Sequence, residues 1–336
     1  MAETFRTAQP AFPFYQPTRL SPTARDWRLH SSLLLLTVFT TTFAGLVLVS
    51  PQLATPEPAL RNPIDYVLYL PLSYYYSVIE SVRYSLSHPY LLKQAAAFAG
   101  SLMAILFSHE MGHYLACRYY GVDATLPYFI PAPPMFLAGT FGAFIKIRSP
   151  IPSRRALFDI GLAGPIAGFV VALPLAIIGV LQTTPIAISD GSGIFFNDPL
   201  LFRLIQRFFG INPDLTFTVN PYHMAAWIGL LVTSLNLMPV GQLDGGHGTF
   251  ALFGEQVHRI VGRLAFVSTG ILAILGFWWH GSPSGFLYTV LLGIMLRFRH
   301  PQPAVMERLG KVRVSIAVLT LIVFVLCFAP FPITIE

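Results

Sequence analysis

Residues 95–113 read AAAFAGSLMAILFSHEMGH, an apolar run that ends in a His-Glu-x-x-His motif. The run has the composition of a membrane-spanning helix. On a helix, His109 and His113 are separated by four positions and project from one face, so both imidazoles can bind one Zn²⁺. Glu110 then lies beside the metal, where it can act on a bound water. The stretch therefore predicts hydrolytic chemistry inside a membrane.

A purely structural role for these side chains is the alternative. It would have to account for three polar side chains within about one turn of a helix in lipid, where each ionisable group is costly and usually functional. The metal-binding interpretation accounts for all three.

The composition is that of an integral membrane protein. Of the residues, 54% are hydrophobic and only 11% are charged, whereas a soluble domain carries about 25% charged residues. The net charge of +6 then indicates orientation in a lipid bilayer, because Lys and Arg accumulate in cytoplasmic loops. It does not indicate a nucleic-acid partner.

The apolar runs predict an all-α polytopic membrane protein with about six to seven transmembrane helices. Several runs are too short to cross a bilayer core of about 30 Å unaided. The predicted spans are Ser32–Val49, Gln94–Tyr120, Ala156–Leu181, Tyr222–Leu237, Leu264–Trp279, Gly285–Leu296 and Val314–Ala329.

The distribution of basic residues predicts the orientation of these spans. With the N-terminus in the cytoplasm, only five of the 21 Lys and Arg residues fall outside, as the positive-inside rule requires. The metal motif then lies toward the cytoplasmic face, while the sequence leaves open which membrane is meant. The five outside residues are Arg61, Arg83, Lys93, Arg203 and Arg207.

A third metal ligand is predicted after the run Tyr222–Leu237, which is too short for a full crossing. Pro239 and Gly241 break the helix there. Irregular backbone at that depth lines protein or a wet cavity, where a carboxylate such as Asp244 can bind a metal. Asp244-Gly245 could instead form a turn at the cytoplasmic rim. His247 could orient Asp244 or simply extend to the interface.

Two motifs in order resemble the site-2 protease family of intramembrane zinc metalloproteases. They are Phe107-Ser108-His109-Glu110-Met111-Gly112-His113 and Asn236-x-x-Pro239-x-x-x-Leu243-Asp244-Gly245. The sequences Gly139-Thr140-Phe141-Gly142-Ala143 and Ala163-Gly164-Pro165-Ile166-Ala167-Gly168 extend the resemblance.

The resemblance implies one Zn²⁺ per chain, held by His109, His113 and Asp244. It implies that Glu110 is the general base and that Asn236 binds the substrate backbone or stabilises the oxyanion. Asn236 could instead cap its helix or bond a neighbouring helix. The resemblance divides the chain into three ranges. Residues 1–91 are an N-terminal segment with an extra helix and a Tyr-rich interfacial stretch, residues 92–250 are the catalytic core, and residues 251–336 are C-terminal helices.

Between the two motifs, Leu126–Arg148 is too rich in proline for a helix. Phe141–Ile147 has strand character and predicts a small membrane-associated β-hairpin or sheet near the cytoplasmic face. A strand edge there could hold an unwound substrate by β-augmentation. The alternative is a loop that covers the site.

The sequence thus predicts an intramembrane zinc metalloprotease acting on single-pass membrane proteins within the lipid bilayer. A membrane transporter or a metal-binding membrane protein without proteolytic activity is the alternative, although transporters usually show repeated halves. A catalytically dead scaffold is a third reading, and the intact Glu110 argues against it.

Overall fold

The computed structural model describes residues 22–49, 75–76, 78–133, 136–185, 194–213, 218, 220–282, 284–298, 300 and 302–335. Half of the Tyr-rich stretch Asn62–Pro89 that is predicted to lie at the interface, namely residues 62–74 and 77, is outside these residues. Its described part is helical at 78–87, directly before the first metal-motif helix.

Helices dominate the described chain. Four of them, α1, α2, α3 and α6, are long and apolar enough to cross a membrane. The helices α5, α7 and α8 are shorter, at 16, 12 and 17 residues, so six to seven full crossings are not established. The helices are α1 Ala24–Val49, α2 Pro89–Tyr119, α3 Arg154–Leu181, α4 Leu200–Phe208, α5 Pro221–Asn236, α6 Asp244–His280, α7 Ser284–Met295 and α8 Lys311–Cys327.

Helix α6 is the main departure from the predicted spans. The predicted run began at Leu264, whereas α6 begins at Asp244 and continues through a kink at Gly254, where φ is 81° and ψ is −179°. The closely spaced Gly245, Gly246 and Gly248 each lower the helix propensity by about 1 kcal/mol relative to alanine. The sequence therefore did not predict the first turns of α6. The extra turns carry the predicted third ligand at their first residue.

Two small antiparallel sheets accompany the helices. Strand β1 (Tyr128–Pro131) pairs with β2 (Thr140–Phe144), and a bridge between Ala124 and Ile147 extends this pairing. Strand β3 (Ile194–Phe196) pairs with β4 (Ile333–Ile335). The first pair confirms the small sheet predicted between the motifs.

The core is built where α2, α3 and α5 meet. Phe98 and Leu102 of α2, Phe158 of α3, and Trp227 and Leu230 of α5 are fully or almost fully buried there. Within lipid, helices associate through close van der Waals packing rather than through exclusion of water. Small residues are therefore required at the crossings.

The crossing of α2 and α3 is an example of such packing. A Cβ at Gly112 of α2 would overlap the backbone carbonyl of Ala163 in α3. The contact lies in the sequence Ala163-Gly164-Pro165-Ile166-Ala167-Gly168, whose small residues allow α3 to approach the metal-motif helix closely. The close approach brings the backbone of α3 next to the metal-motif histidines.

Helix α1 supports the first sheet. The buried His30 bonds the Pro127 carbonyl through Nδ1 at 2.9 Å, and its ring contacts the Tyr128 ring at 4.2 Å. Gly139, in the turn between β1 and β2, has φ of 64° and lies against the backbone of Thr40 and Thr41. The sheet is thus fixed to α1 on one side.

Candidate metal centre

Three predicted ligands converge from two helices. His109 and His113 are buried on one face of α2, and Asp244 is the first residue of α6. His109 Nε2 and His113 Nε2 lie 3.2 Å apart. Asp244 Oδ2 lies 3.2 Å from the first and 3.3 Å from the second. These residues form a group that could hold a metal ion.

The spacing of the three atoms suits a tetrahedral ion. Nitrogen and oxygen ligands about 2.0–2.1 Å from a tetrahedral zinc lie about 3.3–3.4 Å from one another. The three separations of 3.2, 3.2 and 3.3 Å nearly match this value. Two imidazoles and one carboxylate are also ordinary zinc ligands, and they leave a fourth position for water or substrate.

A backbone carbonyl sets the orientation of His113. Its Nδ1 lies 2.7 Å from the Ile160 carbonyl oxygen of α3. A carbonyl only accepts hydrogen bonds, so Nδ1 carries a proton. In the neutral ring, the Nε2 lone pair is then directed toward the other two ligands and can bind a metal. Metal-binding histidines are commonly oriented in this way.

Glu110 lies beside the cluster and does not supply one of its three ligand atoms. Its side chain is buried, lines the same cavity as the ligands, and lies against the Ile145 backbone amide. The cavity has a volume of about 710 Å³, which is large enough for several residues of a peptide. A carboxylate in this position can exchange a proton with a group held at the metal.

Asn236 is the last residue of α5 and also lines the cavity. Its Nδ2 lies 3.3 Å from His109 Nε2. The side chain therefore points into the metal centre, where its amide can donate to a negatively charged oxygen. The helix is instead capped by Leu237, whose backbone amide bonds the Thr233 carbonyl.

A tight turn brings Asp244 to the histidines. After α5 ends, Gly241 adopts φ of 55°, a left-handed conformation that suits glycine. A Cβ at Gly245 would overlap the Leu237 carbonyl, so the start of α6 packs directly on the end of α5. Asp244 is thus the first residue of a helix rather than part of an exposed Asp-Gly turn.

His247 has a bonding partner that neither predicted role included. Its Nδ1 lies 2.7 Å from His300 Nε2, and the His300 ring stacks on Phe250 at 4.2 Å. His247 lines the cavity but joins α6 to the segment that follows α7. The sequence held no signal for this pairing, because the two histidines are 53 positions apart.

Two glycines of α3 face the metal centre, and the sequence analysis did not predict this. A Cβ at Gly164 would overlap the imidazole of His113, and one at Gly168 would lie 3.2 Å from His109 Cβ. Both positions therefore leave room for ligand side chains. The spacing of Gly164 and Gly168 by four residues was the available signal.

We expect Gly164→Ala to displace the His113 ring and lower metal affinity. Because the overlap involves ring atoms at Nε2, Cδ2 and Cε1, the ligand has to move before the methyl group fits. Metal content after dialysis against a competing chelator measures the effect. Gly100→Ala is the control, since a Cβ there meets nothing within 4 Å. Equal metal retention by both variants would contradict the steric argument.

The fold has four helices long and apolar enough to cross a membrane, and the site is a His₂Asp cluster that could hold a metal ion. The model of Peptidase family M50 matches residues 97–276, which is more than half of the 336 residues. The chain belongs to this family, and the resemblance to site-2 proteases is confirmed.

Curated relatives agree with this assignment. The chain is 33% identical over 207 residues to "Probable zinc metalloprotease EGY1, chloroplastic" of Arabidopsis thaliana, covering 60% of this chain and 37% of that protein. It is 32% identical over 201 residues to "Probable zinc metalloprotease EGY2, chloroplastic" of Oryza sativa subsp. indica, covering 56% and 35%. The Arabidopsis thaliana EGY2 protein is 29% identical over 253 residues, covering 72% and 43%. The matches thus span 35–43% of the length of these relatives, and no solved structure matched.

Proposed function

We propose that the protein is an intramembrane zinc metalloprotease that hydrolyses peptide bonds within or near transmembrane segments of other membrane proteins. The observation that carries the proposal is the convergence of His109, His113 and Asp244 at one cavity. Glu110 and Asn236 face that cavity as well. The M50 membership and the names of the relatives point the same way.

In this proposal the three ligands hold one zinc ion, and the remaining residues carry out the proton transfer and charge stabilisation. When bound, zinc supplies a Lewis acid that polarises the scissile carbonyl and lowers the pKa of water. The Glu110 carboxylate takes the proton from the attacking water and passes it to the leaving nitrogen. The Asn236 amide donates to the oxygen on which negative charge develops.

The extended segment that follows β2 is proposed to hold the substrate backbone. Thr125 donates its amide to the Lys146 carbonyl at 3.0 Å, and Arg148 donates its amide to the Asp123 carbonyl at 2.8 Å. Backbone groups alternate sides along a strand. The amides and carbonyls of Ile145 and Ile147 therefore point away from this partner, and both residues line the metal cavity. The Ile145 amide lies against Glu110, so the Ile147 amide is the one proposed to bond the substrate.

A free strand edge beside the metal matches what an intramembrane protease requires. Peptide bonds of a transmembrane helix are bonded within the helix, so the helix must unwind before a bond can be cut. An unwound segment needs new partners for its backbone, and an exposed strand edge supplies them by β-augmentation. Single-pass membrane proteins are the proposed substrates, because one span can enter from the lipid.

Pro at Ile147 should test this edge directly. The substitution removes one outward-facing amide, so we expect KM for a membrane substrate to rise while zinc stays bound. Ile147→Ala is the matched control, because it shortens the side chain and keeps the amide. Pro at Phe144 is less useful, because Phe144 pairs with Tyr128 inside the sheet, and so is Pro at Ile145, because the Ile145 amide lies against Glu110.

Two substrates that differ only in the helicity of their span complete this test. Gly or Pro in the span should raise cleavage by the unaltered enzyme, because unwinding then costs less. If Ile147→Pro cleaves both substrates with the unaltered KM, the segment is not a docking edge and covers the site as a loop.

The proposed orientation places the metal centre toward the cytoplasmic side. Arg118 ends α2, and Arg154 and Arg155 begin α3, so basic residues gather at the end of the bundle that carries the site. The positive-inside rule supports this orientation, because Lys and Arg accumulate on the cytoplasmic side. Proteolysis of a tag at either terminus in sealed vesicles would test this orientation.

The overall proposal is tested by metal content and cleavage measured on the same purified protein. We expect about one zinc per chain and cleavage of at least some single-pass membrane proteins in a panel. Stoichiometric zinc with no cleavage of any panel member, together with zinc flux into vesicles, would instead favour a transporter.

A further inference from the structure

A three-residue polar cluster lies beside the metal centre, outside the cavity. Arg313 of α8 donates from Nε to Asp159 Oδ1 at 2.9 Å and from Nη2 to Asp159 Oδ2 at 2.6 Å. The Tyr120 hydroxyl donates to the same Oδ2, and Arg313 Nη2 also lies 3.0 Å from that hydroxyl. The cluster joins the end of α2, the beginning of α3 and the beginning of α8.

The geometry of the pair is more specific than that of an ordinary surface salt bridge. Both side chains are largely shielded, with exposed fractions of 24% for Arg313 and 27% for Asp159. Two parallel bonds from one guanidinium to one carboxylate fix both distance and orientation. A nearby pair, Arg155 and Glu307, lacks this geometry: their charged atoms are 3.8 Å apart and Arg155 is 48% exposed.

Asp159, at the centre of the cluster, is adjacent in sequence to the residue that orients His113. Asp159 precedes Ile160, whose carbonyl accepts the bond from His113 Nδ1 at 2.7 Å. Fixing the Asp159 side chain fixes the first turns of α3 relative to the end of α2. The Ile160 carbonyl is thereby held at the distance that keeps the His113 ring in place.

The partner on α8 comes from outside the part of the chain that matches the family model. That match ends at residue 276, whereas Arg313 lies in the first turn of α8, the last helix of the described chain. None of the three side chains lines the cavity. Their contacts therefore point to a role in positioning rather than to contact with a substrate.

We propose that Asp159 and Arg313 are positioning residues for the zinc ligand His113, with Tyr120 completing their hydrogen-bond network. The ion pair holds the first turns of α3 so that the Ile160 carbonyl keeps the His113 ring oriented toward zinc. The inference rests on the proposed zinc site but not on proteolysis. Its test is therefore a metal-binding measurement.

The experiment compares Asp159→Asn and Arg313→Lys with the unaltered full-length protein in detergent. Asn keeps the size of Asp159 but loses its charge, and Lys keeps the charge of Arg313 but loses the two-bond geometry. We expect the zinc dissociation constant, measured by chelator competition, to rise about tenfold, which is the lower end for loss of an outer partner of a metal ligand. The d–d spectrum of the cobalt-loaded protein should shift as well.

Glu307→Gln is the matched control, because it removes an ion pair from the same end of α3 without touching Asp159. It should keep the zinc affinity and the cobalt spectrum of the unaltered protein. If Asp159→Asn does not fold, Tyr120→Phe removes a single hydroxyl from the network and should shift both readouts in the same direction by less.

Two outcomes overturn the proposal. One is unchanged zinc affinity and cobalt spectrum in folded Asp159→Asn and Arg313→Lys proteins. The other is an equal loss of affinity in Glu307→Gln, which would mean that general stability of this end is responsible. A protein that binds zinc, responds to these variants and cleaves nothing would uphold the positioning role and contradict the proposed protease.

Discussion

Glu110→Gln should lower cleavage by at least about 10²-fold and leave zinc bound, within the range expected for loss of a general base. The amide has the size of the carboxylate but cannot take a proton from water. Zinc should remain because the three converging atoms belong to His109, His113 and Asp244. The measurement is zinc by mass spectrometry and the cleavage rate of a single-pass reporter, on one preparation.

Glu80→Gln is the matched control for this substitution. Glu80 is exposed and its nearest charged partner is Arg83, 3.9 Å away, so the change makes the same chemical replacement far from the metal centre. It should cleave at the unaltered rate. Cleavage by Glu110→Gln at that rate would refute the mechanism, and loss of zinc from it would mean that Glu110 helps to hold the metal.

The parts of the site that follow from local rules were predictable. His109 and His113 share a helix face because four residues make slightly more than one turn. Glu110 comes with them in the motif. Asp244 required a further step, which was that a short apolar helix ending at Pro239 and Gly241 leaves irregular backbone inside the protein.

The parts that depend on distant contacts were not predictable. The Ile160 carbonyl carries no side-chain signature, because every residue supplies the same acceptor. Its role follows only from the approach of α3 to α2. Arg313 counted as one of many basic residues on the proposed cytoplasmic side, and its bonds to Asp159 at 2.6 and 2.9 Å join positions 154 residues apart.

Helix α6 was mispredicted for a related reason. Local propensity at Gly245, Gly246 and Gly248 opposes a helix, but these glycines are buried where α6 starts against the end of α5 and near α3. The packing requires residues without side chains, and it overrides the local preference. A glycine-rich stretch beside a metal ligand can thus indicate a crowded helix start rather than a loop.

Asp244→Ala should remove zinc and abolish cleavage together. The carboxylate is the only predicted ligand from outside α2, and its Oδ2 lies within 3.3 Å of both imidazole nitrogens. Two histidines alone leave a zinc site one protein ligand short of the usual three. Zinc content after chelator competition measures the loss, and Gln242→Ala is the control, because Gln242 lines the same cavity without joining the cluster.

A thermal measurement distinguishes loss of a ligand from damage to the fold. A ligand that binds only the folded state raises its stability by mass action, so chelation should lower the unfolding temperature of the unaltered protein. Asp244→Ala should already unfold near that lowered temperature and should not respond to the chelator, because it has no zinc to lose. Stoichiometric zinc in Asp244→Ala, or a chelator response equal to that of the unaltered protein, would exclude Asp244 from the ligands. His109 and His113 would then need a third partner from elsewhere in the chain.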